Sequence, residues 1–344
     1  MLRVTTSSVL KNYRLNLTKS RLNLESSQNT VLSQRNFNSY AEDPALASEC
    51  FTLRRSYLRS DMQQDNCSAI ISQYEVAWSA MEGVISDVSN EKSTSAYAAV
   101  MEGLSDPTGA GRYALGQNLL QIAESLTQSM NVKYGDSYVF AGADGLTAPF
   151  EWQDGELCYL GLSVDDEANQ EALDQLAAAS RYVDIGLGLQ ENANGELLPS
   201  TAFNAAMPGI NYLGYGVDEE GDPKNVISLI HRMGTILSGC DNDGKFANEG
   251  DQEELTRLFD KFGTSSDNLS TKHVEMDTQA SFLKQNLSQL EDSAYVINEQ
   301  IIDLEQADLA EAITAFSWAQ YCYNAALKVG NSVLSESLMD YMTV

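Results

Sequence analysis

The sequence predicts a mainly α fold: long N- and C-terminal helices paired as a coiled-coil-like rod, with an inserted β-containing (α+β) outer domain. Apolar residues at three- and four-residue spacing fill both ends of the 344-residue chain, the period of helices that bury one stripe. The middle has a different texture, since sixteen of the twenty-three glycines and four of the six prolines lie between Gly135 and Gly250. The two ends also differ in charge. Residues 1–60 carry nine Lys or Arg against four Asp or Glu, whereas from Leu290 onward Lys328 is the only base against nine acids, so the ends can attract each other.

In the first helix Leu10, Leu17, Leu24 and Val31 recur every seven residues, with Tyr13, Ser20 and Ser27 between them. This is a thin, half-polar seam. A second helix is expected to start at Asp43-Pro44, where the carboxylate can accept from free amides and proline loses no hydrogen bond. It runs long, and its stripe is Ile71, Tyr74, Trp78, Met81, Ile85 and Val88. Asp106-Pro107 repeats the start signal for a helix carrying Leu115, Leu119, Ile122, Leu126 and Met130, expected to end at Gly135.

Between 136 and 254 the expectation is short strands, at 137–140 and 157–160, with turns at Asp144-Gly145 and Asp154-Gly155. A helical patch is expected over 171–182, with Leu173, Leu176 and Ala177 on one side. Helical texture returns after Asp251, and Leu283, Leu287, Leu290, Ala294, Ile297, Ile301 and Leu304 hold the three-four spacing without a break. That seam spans roughly 33 Å, close to the length of the Leu10-to-Val31 seam, so the two are expected as partners. Past Leu304 the phase slips by one residue, to Leu309, Ala312, Phe316, Ala319, Tyr323 and Ala326. Small residues allow close approach but bury little, so this last helix is expected to need partners beyond its own chain. The expected division is terminal helices at 1–40 and 305–344, a helical rod at 41–135 and 255–304, and the inserted outer domain at 136–254.

A formal charge of -28 repels phosphate backbones and anionic lipids, so neither nucleic acid nor membrane is an expected partner. No eighteen-residue apolar run is present to span a membrane, and the first thirty residues lack a signal-peptide pattern. Cys50, Cys67, Cys158, Cys240 and Cys322 form no Cys-x-x-Cys pair and read as small buried apolar residues. His231 and His273 lie in no nucleophile or metal motif, and His273 beside Lys272 is expected to face solvent. Asp241-Asn242-Asp243-Gly244 resembles part of a calcium loop, but aligning Gly244 with the invariant glycine puts Gly239 and Gly250 where the first and last acidic ligands belong, so it reads as a turn. Gly109-Ala110-Gly111 and Gly186-Leu187-Gly188 lack the setting of a phosphate loop and also read as turns. No catalytic residue, cofactor or metal site is expected, and the chain is not read as an enzyme.

Three stretches resemble a known family. The opening "MLRVTTSSVLKNYRLNLTKSRLNLESSQNTVLSQRNF", followed by "YAEDPALASECFTLR", is similar to the N-terminal helix, loop and second-helix start of the bacterial flagellin and flagellar hook-associated protein superfamily. In "GDSYVFAGADGLTAPF", Tyr138, Phe140, Gly142, Pro149 and Phe150 fit the segment with which hook-filament junction proteins enter their variable domain. "DLEQADLAEAIT" and "VLSESLMDYM" resemble the C-terminal helix of those junction proteins, the family of hook-associated protein 3. Filament flagellins usually have Asp-Asp-x-Ala-Gly-Leu-Ala-Ile where this chain has Glu42-Asp43-Pro44-Ala45-Leu46-Ala47. The chain also departs from the superfamily at Ser33-Gln34-Arg35-Asn36, which replaces a Ser-Thr-Gly-x-Arg loop.

The resemblance implies a structural subunit that self-associates in a helical or ring assembly, next to a hook-associated protein and flagellin. It also implies an export chaperone on the C-terminal helix, and passage through the flagellar secretion channel to an extracellular site without a cleaved signal. The residues expected to form the assembly seam are Leu10, Leu17, Leu24, Leu283, Leu290, Ile297, Ile301 and Leu304. A filament flagellin and a coiled-coil surface adhesin are the alternative readings.

Overall fold

Asp43 starts a helix as its position requires, because its Oδ1 accepts from the amides of Ala45 (3.1 Å) and Leu46 (3.0 Å) just beyond Pro44. The computed structural model describes residues 6–342 apart from 90, 91, 106, 107, 193, 196 and 242. Met1 to Thr5 of the opening motif, the Asp106-Pro107 start signal and Asn242 therefore lie outside the described residues. In chain order the helices are α1 (Thr6–Ser33), α2 (Pro44–Val88), α3 (Ala96–Ser105), α4 (Gly109–Met130), α5 (Gln170–Ala177), α6 (Ile210–Leu213), α7 (Val226–Ser238), α8 (Asp251–Glu305) and α9 (Leu309–Met342). The strands, all short, are β1 (Lys133–Tyr134), β2 (Ser137–Tyr138), β3 (Ala141–Gly142), β4 (Phe150–Gln153), β5 (Glu156–Tyr159), β6 (Leu162–Ser163), β7 (Tyr182–Val183), β8 (Phe203–Asn204) and β9 (Met207–Pro208). The mainly α class with a β-containing insertion is what the sequence predicts.

The chain forms two units. A terminal unit holds Met1–Asp61 and Glu291–Val344, and a central unit holds Met62–Leu290, so α2 and α8 contribute to both.

The central unit has the core. Its centre is the crossing of α4 and α7, where Gly116 and Gly234 let the two backbones meet: a Cβ on Gly116 would stand 2.5 Å from the Ser238 amide nitrogen and 2.7 Å from the Gly234 carbonyl oxygen. Around it Tyr74 and Met81 of α2, Leu126 and Met130 of α4, Ile230 and Met233 of α7 and Phe262 of α8 are buried. The stripe read from the sequence of α2 is this core face, with Ile71, Tyr74, Met81 and Val88 buried and Trp78 and Ile85 half-buried. Helix α7 was not expected. Its apolar positions Val226, Ile227, Leu229, Ile230, Met233 and Leu237 sit in the glycine-rich texture that reads as β.

Antiparallel pairing builds the inserted part from β1–β2, β3–β9, β4–β5–β6 and β7–β8. Asp154-Gly155 makes the expected two-residue hairpin turn between β4 and β5, with φ of 52° and 89°, the two positive values that such a turn demands. Several local expectations are corrected. Helix α4 stops at Met130, and Gly135 (φ 60°) instead turns the β1–β2 hairpin. Gly109 to Gly111 open α4 instead of forming a turn. Val139, Phe140 and Leu160 lie outside strands, the helical patch ends at Ala177, and Tyr182 begins β7. Val139 and Phe140 are adjacent and both fully enclosed, which departs from the in-out alternation of a half-buried strand, and Leu160 turns the chain with φ 50°.

One buried carboxylate staples the loop before α7 to two helices. Asp222 is wholly buried, and its oxygens accept from Arg257 Nε (2.6 Å) and Lys261 Nζ (2.6 Å) of α8, with Arg232 of α7 3.4 Å away. The Arg257 hydrogen bond, helped by Lys261, holds the Asp222 carboxyl down to about 2. Asp165 is the opposite case: burial pushes its carboxyl up to about 6 against a weaker pull from Ser228.

Two stability tests follow from this packing. Gly116→Ala has no room at the α4–α7 crossing and is expected to cost about 1–3 kcal/mol. Gly83→Ala, on a helical face with nothing within 4 Å, is expected to gain up to about 1 kcal/mol; denaturant unfolding followed by circular dichroism measures both. Acid unfolding should show the two carboxyls with opposite signs. Asp165, raised when folded, destabilises the ionised fold, so stability rises as pH falls from about 6 towards 4, and Asp165→Asn should flatten that arm. Asp222, depressed when folded, contributes about 2 kcal/mol that is lost as pH falls from about 4 through 2, and Asp222→Asn should remove this second arm.

Candidate assembly surface

Among its described side chains helix α1 carries the predicted seam and no other covered face. Leu10, Tyr13, Leu17, Ser20, Leu24, Ser27 and Val31 are half-buried, whereas nearly every other described side chain of the helix is exposed. The partner is α9. Tyr13 donates its hydroxyl to the Ala326 carbonyl oxygen (3.2 Å), and its ring fills the space where Gly330 has no side chain. Among the described side chains of α9 the covered positions are Ala312 and Gly330, buried, and Phe316, Ala319, Tyr323, Ala325 and Ala326, half-buried. Small residues on one helix thus accept the ring from the other, and the axes come close at the cost of buried area. Leu309, expected on this seam, is 45% exposed, because α9 begins there and its first turn is capped by Asp308, which accepts from the amides of Ala310 and Glu311.

The Leu283-to-Leu304 run is therefore not the partner of α1. Leu283 is fully buried in the central unit, where its carbonyl accepts from the Cys67 thiol (3.2 Å). Leu290 is half-buried there, its carbonyl bonded to Gln64 Nε2 and a side-chain methyl packed over Gly186. In the terminal unit Ile301 is buried and Ile297 and Leu304 are half-buried, alongside the buried Ala47 and Cys50 of α2. Of the eight residues read as a seam, three are gathered against α9 and the other five are covered along α8 by the same chain.

The two ends of the chain are tied where α8 stops. The Asn36 amide donates to the Glu305 carbonyl (2.9 Å), Ala307 donates to Gln34 (3.1 Å), and the Asn36 side chain donates to the carbonyls of Leu304 (3.0 Å) and Gln306 (3.1 Å). These bonds satisfy carbonyls that a helix end leaves open. The loop turns at Gln34 with φ 57°, a left-handed conformation carried here without glycine. Beside it Arg54 grips Glu305 through Nε and Nη2, both at 2.7 Å, and the Cys50 thiol donates to the same carboxylate (2.8 Å). Burial raises the Glu305 carboxyl, but the Cys50 and Arg54 hydrogen bonds outweigh it and hold it below the usual range. The attraction of a basic N-terminal segment for an acidic C-terminal one takes this concrete form.

The described residues of the terminal unit make only a thin core. Among the described residues its buried apolar side chains are Ala47, Cys50, Ala294, Ile301 and Ala312. Its exposed ones are larger: Leu15, Leu22, Phe51, Leu58, Tyr295, Ile313, Trp318 (68% exposed) and Tyr321 (66%). Apolar area of this extent left in water marks an interaction surface.

Elsewhere two acidic segments are satisfied within the chain. Asp218, Glu220 and Asp222 bring carboxylate oxygens within 4.8 Å of one another, but Lys261 Nζ stands 2.5–2.6 Å from all three. Asp241 bonds the amides of Asp243 and Lys245, so this segment is a turn as expected. His273 does not face solvent: it stacks on Trp78 at 4.8 Å, and His231 packs on Trp152 at 4.4 Å. Cys50, Cys67 and Cys158 are buried as read, but Cys240 is half-buried and Cys322 is exposed on α9. No helix among the described residues is long and apolar enough to cross a membrane.

Solved structures share this architecture. A structure described as a flagellar hook-associated protein from Vibrio parahaemolyticus aligns over 77% of this chain and 100% of its own, with 16% identity and a TM-score of 0.57. The chain has that fold. FlgL of Xanthomonas campestris aligns over 73% of this chain and 99% of its own at 12% identity, TM-score 0.53. Hook-associated protein 3 of Legionella pneumophila aligns over 74% and 98% at 11% identity, TM-score 0.50. No protein-family model matches the chain, and neither does any curated protein.

The contrast between the buried side chains of the central unit and the exposed ones of the terminal unit sets an expectation for the purified monomer. Limited proteolysis should trim both termini and leave a resistant fragment near Met62–Leu290. Survival of α1 in a verified monomer, read by mass spectrometry of the digest, would show that the helix pair is stable alone.

Proposed function

We propose that this chain is a structural subunit of the bacterial flagellum, the adaptor at the hook-filament junction, working by assembly and not by catalysis. One observation carries the reading: the terminal unit pairs α1 with α9 through small residues and leaves Leu15, Leu22, Trp318 and Tyr321 in water, a surface suited to neighbouring subunits. The shared fold with hook-associated proteins supports it, as do the Asp43-Pro44 start and the 138-to-150 entry segment. In this reading Leu10, Leu17, Leu24, Leu283, Leu290, Ile297, Ile301 and Leu304 work indirectly, by building the helix pairs whose outer faces do the docking. Terminal helices belong to the inner tube, and residues 136–254 form the outer domain. The neighbours are a hook-associated protein on one side and flagellin on the other, with export through the flagellar channel under a chaperone that covers the C-terminal helix.

An adaptor ends one assembly and templates the next, so few copies suffice. Deletion of the gene should leave hooks intact under the electron microscope while flagellin accumulates in the culture fluid as monomer. Quantifying this protein per flagellum completes the test. Missing hooks would overturn the reading, and copies by the thousand along the filament would assign the chain to filament flagellin instead.

A further inference from the structure

Helix α1 has a second, uncovered face. Leu15 (55% exposed) and Leu22 (58%) stand seven residues apart on the side away from Leu10, Leu17 and Leu24. At about 100° per residue they fall within about 20° of one another, nearly opposite the α9-facing seam. Lys11 and Lys19 lie beside them, with Arg14 and Arg21 towards one edge, all exposed; Glu25 is the only acid of the helix.

The last turns of α8, Glu291 to Glu305, repeat this layout with the opposite charge. Tyr295 (64% exposed) and Ile302 are also seven residues apart, with Val296 next to them. Glu291, Asp292, Glu299 and Asp303 stand on the same exposed side, and the stretch has no base. The opposite side, Ala294, Ile297, Ile301 and Leu304, is the one that faces inward. Tyr295 donates its hydroxyl to Glu299 (2.8 Å), which holds the ring along the face. Among the described residues, none of the four α1 bases and none of these four acids takes part in an ion pair.

Each face is an apolar pair at heptad spacing with charged flanks, the pattern by which coiled-coil partners select one another. Both are exposed on the same unit, so they do not cover each other within one chain. We propose that copies of this chain associate head to tail, the outer face of α1 on one copy docking on the acidic outer face of the α8 end on the next. Such a contact joins different surfaces, so it propagates into a ring or helical array instead of closing as a two-fold dimer. The inference rests on the reading of the terminal unit as an assembly surface and adds which faces meet.

Charge reversal tests it, because all four residues chosen are exposed. Lys11→Glu with Lys19→Glu, and separately Asp292→Lys with Asp303→Lys, each place like charges across the contact. Either pair, introduced into the deletion strain, should lower the copies retained per hook by at least about tenfold. The chain carrying all four changes restores opposite charges and should recover to within about twofold of the unaltered protein. Full retention by either pair alone would overturn the proposal, as would failure of the four-residue variant to recover. If the unaltered gene itself does not complement the strain, the flagellar reading fails separately. The faces are then judged by sedimentation velocity of the purified full-length proteins, where self-association should weaken with salt and show the same loss and recovery across the three variants.

Discussion

Small side chains between α1 and α9 govern the terminal unit. Ala312, Ala319, Ala326 and Gly330 let α1 approach until Tyr13 lies in the gap, and Ser20 and Ser27 add little apolar area from the other side. An isolated helix pair gains its stability from buried stripes, and this one buries little. The larger apolar residues of the same helices, Leu15, Leu22, Trp318 and Tyr321, lie away from this seam and are exposed. A seam of leucines would have given a firmer helix pair. The small-residue seam gives close helices that need neighbours.

The central unit is built on the opposite balance. Its helices cross through Gly116 and Gly234, but around that crossing large side chains such as Tyr74, Phe262 and Met233 are fully enclosed. Charge is handled internally as well: Asp222 is buried yet matched by Arg257, Lys261 and Arg232, which keeps it ionised and ties the preceding loop to α7 and α8. The large buried apolar side chains are thus concentrated in this unit, and the terminal unit is left with the exposed ones.

Much of this was legible in advance because helical periodicity reports burial directly. The seven α1 positions from Leu10 to Val31 are all covered, and the Asp43 cap lies where its side chain was expected to serve. The phase slip after Leu304 corresponds to a real break between α8 and α9, sealed by Asn36 and capped by Asp308. Helix α7 was hidden because its apolar residues are nearly continuous and surrounded by glycines, and a short run of that kind does not declare its period. His273 was misplaced because Lys272 on its flank says nothing about Trp78, which comes from a helix 195 residues away.

By itself the sequence determined the covered stripe of α1, of α2 from Ile71 to Val88 and of α8 from Leu283 to Leu304, where α2 begins, and that the ends carry opposite charge. All of these are local properties of residue type and spacing. Only the tertiary structure decided that α1 lies on α9 and not on the Leu283-to-Leu304 run, although both stripes have suitable length. The reason is steric and long-range: α8 is already covered by α2 and the loop at Asp184 to Gly186, and the gap at Gly330 that receives Tyr13 forms only when two segments more than 300 residues apart are brought together. Periodicity states that a stripe must be buried, and competition among all the stripes of the chain selects what buries it.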